Sequence, residues 1–318
     1  MIERLGFGAA SLGNLYREVD DTDAEAVLEA AWAGGIRSFD TAPHYGLGLS
    51  ERRLGAFLAG RPRDGFVVST KVGRVLEPNP GPRSGRDTEG FVVPDDLVRR
   101  WDPSPAGVAR SLDDSLRRLG LDRVDTLFLH DPDVYDLDAG IGIGLPALIA
   151  LRDRGVVSSV GVGVNTVDAA LRAVREADVD AVMIAGRYTL LEQPAAEELL
   201  PLCAERGVRV VAAAVFNSGL LAVDRPESAH YDYGDVPPDV AARARRLARI
   251  CGRHGVALPA AALQFPLRHP AVDEVVVGTA RVSSLRANLE HARSVIPDAL
   301  WDELRDEGLT EAFQPERP

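Results

Sequence analysis

Two kinds of hydrophobic spacing alternate from one end of this chain to the other. Short apolar runs, many of them β-branched, predict strands at residues 5–9, 38–40, 66–71, 126–130, 157–162, 181–185, 208–213 and 274–277. Longer runs, with apolar residues every three or four positions, predict helices at 23–33, 50–58, 104–119, 144–154, 167–176, 194–206, 239–254 and 283–292. The third helix shows the basis. Ser104 follows Pro103 as an N-cap, Val108, Leu112, Leu116 and Leu119 share one face, and Gly120 ends the run. Eight such βα units predict an α/β fold, a closed (β/α)8 TIM barrel in preference to an open doubly wound sheet.

Two segments interrupt the alternation. Residues 74–103 follow the third strand and are rich in Gly, Pro and Arg; residues 219–238 follow the seventh. Both are expected as long loops on the C-terminal face, where barrel enzymes keep their sites. A further helix at 298–305 is expected to pack across the outside. No second domain and no further repeat is evident, so residues 1–318 read as a single barrel domain.

Composition narrows the class. With 318 residues, 46% of them hydrophobic, the chain can bury a large core. A formal net charge of −12 argues against a general binder of nucleic acid or anionic membrane. It leaves room for an anionic cofactor, which backbone N–H groups and one or two Arg can hold. The N-terminus does not read as a signal peptide and no apolar run has the length of a membrane helix, so a cytoplasmic location is expected. Cys203 and Cys251 lack metal or redox spacing and are expected to be buried and reduced.

The basic residues hold the main anomaly. Of the 36, all but one are Arg; the exception is Lys71. Arg cannot usefully lose a proton or act as a compact point charge, whereas Lys does both, so a lone Lys at the end of an apolar strand calls for a chemical reason. Asp40 and His130 end neighbouring strands, and Tyr45 lies in the loop just beyond Asp40. On a barrel these four side chains converge. A phenol, with an ordinary pKa of about 10, is a poor base at neutral pH. A neighbouring ammonium, itself held by a carboxylate, is expected to favour the phenolate. Tyr45 could then take a proton from an alcohol or give one to a carbonyl oxygen, with His130 bonding the same oxygen. The spacing of His residues does not suggest a metal site, and no serine elbow or catalytic carboxylate pair is evident.

These residues, in Phe7-Gly8-Ala9-Ala10, Phe39-Asp40-Thr41-Ala42, His44-Tyr45-Gly46, Ser69-Thr70-Lys71 and Leu129-His130, resemble the aldo-keto reductase family over essentially the whole chain. The resemblance implies a catalytic tetrad at Asp40, Tyr45, Lys71 and His130, and an NAD or NADP cofactor bound without a Rossmann domain. It places Asn165 on the nicotinamide carboxamide, Phe216 against the nicotinamide ring, and the backbone of Ser218 and Leu220 along the pyrophosphate. Gly278, Thr279, Arg281, Ser284 and Asn288 would meet the adenosine half. Gly278 and Ser284 stand where family members commonly carry Lys and Arg for a 2′-phosphate, which favours NAD; Arg281 keeps NADP open.

Within the family, the segments 161–165, 185–193 and 216–219 resemble the D-threo-aldose 1-dehydrogenase branch, which includes L-fucose and L-galactose dehydrogenases and lies close to pyridoxal 4-dehydrogenase. That implies a small-molecule substrate, a sugar hemiacetal oxidised at C1 to its lactone. Pyridoxal oxidation, a broad NADPH-dependent aldehyde reductase and a non-catalytic cofactor sensor are the alternatives. Trp101 could stack on a sugar or only anchor its loop, and Arg74 could bond hydroxyls.

Overall fold

A computed structural model describes residues 1–81, 85–223 and 236–311. Eight parallel strands close on one another: β1 (Leu5–Gly8), β2 (Ser38–Asp40), β3 (Val67–Val72), β6 (Thr126–His130), β7 (Ser159–Val164), β8 (Ala181–Ala185), β9 (Arg209–Ala213) and β10 (Val272–Val277). β10 pairs with both β9 and β1, so the barrel has no free edge. Helices separate the strands in sequence and cover the barrel outside, as the alternating pattern predicts.

The remaining two strands correct the reading of residues 74–103 as a loop. β4 (Arg74–Pro78) and β5 (Leu97–Trp101) pair antiparallel as a separate hairpin arm. Most of its residues are only half-buried, so no clean period marks it. A second correction is the helix Leu258–Gln264, all but one of whose residues are buried. A helix covered all round has no amphipathic stripe to betray it. The helix expected from residue 194 begins only at Leu199, after a turn over 194–198. Of the second long segment, residues 224–235 lie outside the described residues.

Register explains how the strand ends meet. Asp40 pairs with both Gly8 and Ser69, Lys71 with Phe128, and His130 with Gly163. Paired residues point to the same face and alternate residues return to it. One apolar cluster joins Phe128, Ala181, Met183, Val211 and Val276. Gly161, level with Phe128, is required there: a Cβ would stand 2.0 Å from the Ala181 carbonyl oxygen and 3.1 Å from the Phe128 ring. The larger core lies between strands and helices, where Phe39 sits among Phe7, Trp32 and Phe57. Each fully buried side chain of this size contributes roughly 1.5–3 kcal/mol. Cys203 and Cys251 are buried in the same core and form no disulfide. Among the described residues no helix is long and apolar enough to cross a membrane.

Candidate active site

Asp40 and His130 are the last residues of β2 and β6, and Lys71 is the next to last of β3. Tyr45 reaches them from the loop after β2, and two glycines set that loop's position. Gly46, at φ 62°, packs on Gly13 so closely that a Cβ on it would lie 2.2 Å from the Gly13 carbonyl oxygen. A Cβ on Gly13 would in turn lie 2.6 Å from the Tyr45 carbonyl carbon. Any larger residue at either place would push Tyr45 off its site.

Lys71 is 2% exposed, and its ammonium has three donors for three acceptors. It donates to Asp40 Oδ2 at 2.6 Å, to the Thr41 carbonyl oxygen at 3.0 Å and to Tyr45 Oη at 3.1 Å. Asp40 Oδ1 accepts from Ser69 Oγ at 2.7 Å, which orients the carboxylate. Burial alone would lower the Lys71 pKa, but Asp40, then Tyr45, outweigh it and the net shift is upward. The ammonium therefore stays charged at neutral pH.

Tyr45 departs from expectation in its electrostatics. Burial pushes the phenol up to about 12, and Lys71 opposes this without overcoming it. The expected phenolate is thus not the resting form, because desolvation of an anion outweighs one cation already shared with Asp40. His130 is 6% exposed and held well below its ordinary pKa by burial, then by Arg74 and Lys71, so the ring is neutral. Its buried Nδ1 has no hydrogen-bond partner.

A network that sequence reasoning did not assemble surrounds the four. Arg74 is 5% exposed. It donates to Asp131 Oδ2 at 2.6 Å and lies 3.1 Å and 3.3 Å from the two ring nitrogens of His44. Asn165 Nδ2 donates to Asp131 Oδ1 at 3.0 Å, and the Asn165 carbonyl oxygen accepts from Arg187 Nε at 2.7 Å. The adjacency of Asp131 to His130 was a signal in the sequence; the convergence of Arg74 and Asn165 on it was not.

Residues 87–93 are stitched to the loop after β1. Tyr16 N donates to Gly90 O at 2.8 Å and Val92 N to Asn14 O at 2.9 Å. Arg99 on β5 clamps Asp87 with two bonds of 2.6 Å and 3.0 Å and donates to the His44 carbonyl oxygen at 2.9 Å. Trp101 lies flat on Tyr135 with ring centroids 5.0 Å apart and does not line the cleft, so it anchors the hairpin.

The cleft enclosed by these elements has a volume of about 570 Å³. Asp40, Tyr45, Lys71, His130, Asp131 and Asn165 line it on one side; Ala185, Ala213, Ala214, Val276 and Gly278 line it on the other. Phe216 is half-buried against the main core outside this lining. Ser218 is exposed in a left-handed conformation, and the Leu220 N–H is donated to Asn217 O at 3.1 Å. Thr279, Arg281, Ser284 and Asn288 continue from Gly278 along the loop and first turns of the helix Val282–Arg293. Arg17 also reaches this segment, donating to the Ala280 carbonyl oxygen at 3.3 Å. An extended dinucleotide fits this set of groups: the Asn165 amide oxygen as an acceptor, the small apolar residues on the facing side, and Arg17 and Arg281 beyond Gly278. Among the described residues no cluster of His, Cys, Asp or Glu could hold a metal ion.

The sequence matches the aldo/keto reductase family over residues 4–306. It is 56% identical over 311 residues to a D-threo-aldose 1-dehydrogenase of a Pseudomonas species, covering 97% of this chain and 94% of that protein. It is 41% identical over 327 residues to a pyridoxal 4-dehydrogenase of Microbacterium luteolum, again covering 97% and 94%. The fold superposes on an aldo-keto reductase from Bacillus halodurans in its holo form with a TM-score of 0.76 and 27% identity, covering 99% of this chain and 94% of that one.

Proposed function

This chain belongs to the aldo/keto reductase family and is an oxidoreductase, and from that premise we propose that it is an aldose 1-dehydrogenase. The reaction is oxidation of the C1 hemiacetal of a sugar of the D-threo-aldose or L-fucose type to its lactone. One observation carries the mechanism: all three Lys71 donors are fixed, and the only one of their acceptors that can itself exchange a proton with substrate is Tyr45 Oη. Asn165 and the segment from Gly278 would hold the nicotinamide cofactor, which would supply the acceptor for the hydride leaving C1. Tyr45, a neutral phenol at rest, first releases its own proton to solvent, the Lys71 ammonium stabilising the phenolate so formed, and the phenolate then takes the C1 hydroxyl proton. The neutral His130 bonds the same substrate oxygen and orients it.

The cleft suits an uncharged substrate. Arg74 is paired with Asp131 and Arg99 with Asp87, so neither guanidinium offers a clamp for a phosphate or carboxylate. Asp131 and Glu89 line the cleft and are acceptors for sugar hydroxyls. NAD is the favoured cofactor, because Gly278 and Ser284 provide no cation for a 2′-phosphate; Arg281 and Arg17 keep NADP as the second choice. The tetrad is Asp40, Tyr45, Lys71 and His130, and the protein works in the cytoplasm. A second reading is pyridoxal oxidation, favoured by the 41% identical relative and by the same cyclic hemiacetal chemistry.

The test is an initial-rate panel of L-fucose, D-arabinose, L-galactose and pyridoxal with NAD+ and with NADP+, following reduced cofactor by absorbance. A sugar with NAD+ should give the highest kcat/KM. Turnover of pyridoxal alone would select the second reading. Silence with all four, with fast reduction of simple aldehydes by NADPH, would sink both.

A further inference from the structure

Asp131 follows His130 in a left-handed conformation, φ 43°, that non-glycine residues rarely adopt. Its N–H is tied to the Gly163 carbonyl oxygen at 2.8 Å, which holds the carboxylate between two sides of the cleft. Each oxygen serves a different wall. Oδ2 accepts from Arg74 on β4, 2.6 Å away, and lies 3.5 Å from His130 Nε2. Oδ1 accepts from Asn165 beyond β7 at 3.0 Å. An ionised carboxylate only accepts, so Asn165 must turn its Nδ2 toward Asp131, leaving Asn165 Oδ1 as the acceptor for another ligand. A carboxamide NH2 is the matching donor.

We propose that Asp131 is a positioning residue that ties the substrate wall to the nicotinamide wall, its ionised carboxylate holding Arg74 and the Asn165 amide in register beside His130. This rests on the dinucleotide-dependent reading above. Taking up a proton would turn one oxygen into an O–H that faces a donor, so the bond on that oxygen is lost or weakened while the other oxygen still accepts. The charged groups that face Asp131 fix where this happens. Burial raises its pKa to about 6 and Asp133 adds to the rise, while Arg74 and Lys71 oppose it. His130 and His44 are both shifted down by burial and stay neutral, so they do not titrate in the same range. The sign follows: the ordered form dominates above about pH 6 and is lost as pH falls through it.

The test is calorimetric titration of the full chain with NAD+, and separately with ADP-ribose, which lacks the nicotinamide, from about pH 5 to 8. Neither ligand titrates in that window. The wild-type Kd for NAD+ should weaken about tenfold toward pH 5, while that for ADP-ribose stays flat. Asp131→Asn should bind NAD+ about tenfold more weakly at neutral pH, with no acid limb and unchanged ADP-ribose affinity. A flat wild-type NAD+ profile, or a limb shared by ADP-ribose, would overturn the proposal. So would an intact limb in Asp131→Asn. If that variant does not fold, the wild-type comparison of the two ligands decides. No sugar enters the assay, so failure here and failure of the aldose reading are separate results.

Discussion

The two walls of the cleft are built on opposite principles. The wall from β2, β3 and β6 carries Asp40, Lys71 and His130, all buried, with Asp40 and Lys71 fixed by hydrogen bonds to each other and to Ser69. The wall from β8, β9 and β10 offers Ala185, Ala213, Val276 and Gly278, with little but shape. Both sit on the same rigid strand ends, so the difference lies in side-chain chemistry alone. On the proposed reading, charge is concentrated where the proton would move, and the facing wall is small enough for a flat ring to approach it. A charged group on the second wall would disturb the Lys71–Tyr45 balance, because buried charges are weakly screened.

This contrast can be broken from either side. The largest effect is expected from Tyr45→Phe on the polar wall, which removes the proposed proton carrier. kcat should fall by about 10³-fold or more, with the NAD+ Kd nearly unchanged. Near-wild-type turnover would take Tyr45 out of its role.

Lys71→Arg should cost about a hundredfold in kcat. Three acceptors lie within 3.1 Å of one ammonium nitrogen, a geometry that a planar guanidinium cannot reproduce. Circular dichroism would confirm a folded barrel, and full activity in a folded variant would show that a lysine is not needed. The smallest effect is expected on the other wall. Ala213→Leu should weaken NAD+ about fivefold by filling the ring's space, and leave kcat at saturating cofactor almost intact. A kcat loss as deep as that of Lys71→Arg would mean the two walls do not divide the work as described.

The hairpin arm shows where sequence reasoning stopped. β4 and β5 carry Arg, Glu and Pro among their apolar residues and bury neither face fully, so their pattern is that of a loop. Trp101 gave two readings in the sequence, and its stacking on Tyr135 selects the anchor. The Arg99–Asp87 clamp joins positions whose relation depends on the hairpin's pairing.

The sequence by itself determined the eight strands, most of the helices, the three polar residues at the strand ends and Tyr45 in the loop beyond Asp40. Periodicity is a local property, and strand order in a βα barrel follows chain order, so adjacent strand ends are known without coordinates. It also singled out Lys71, because one lysine among so many arginines is visible in a count. Only the tertiary structure decided how those residues behave. The acidity of Tyr45 is set by competition between burial and one shared ammonium, and neither strength can be read from residue order. The junction of Arg74, Asp131 and Asn165 likewise comes from three separate strand ends. Such contacts leave no period in the chain, since they depend on distances that exist only once the barrel has closed.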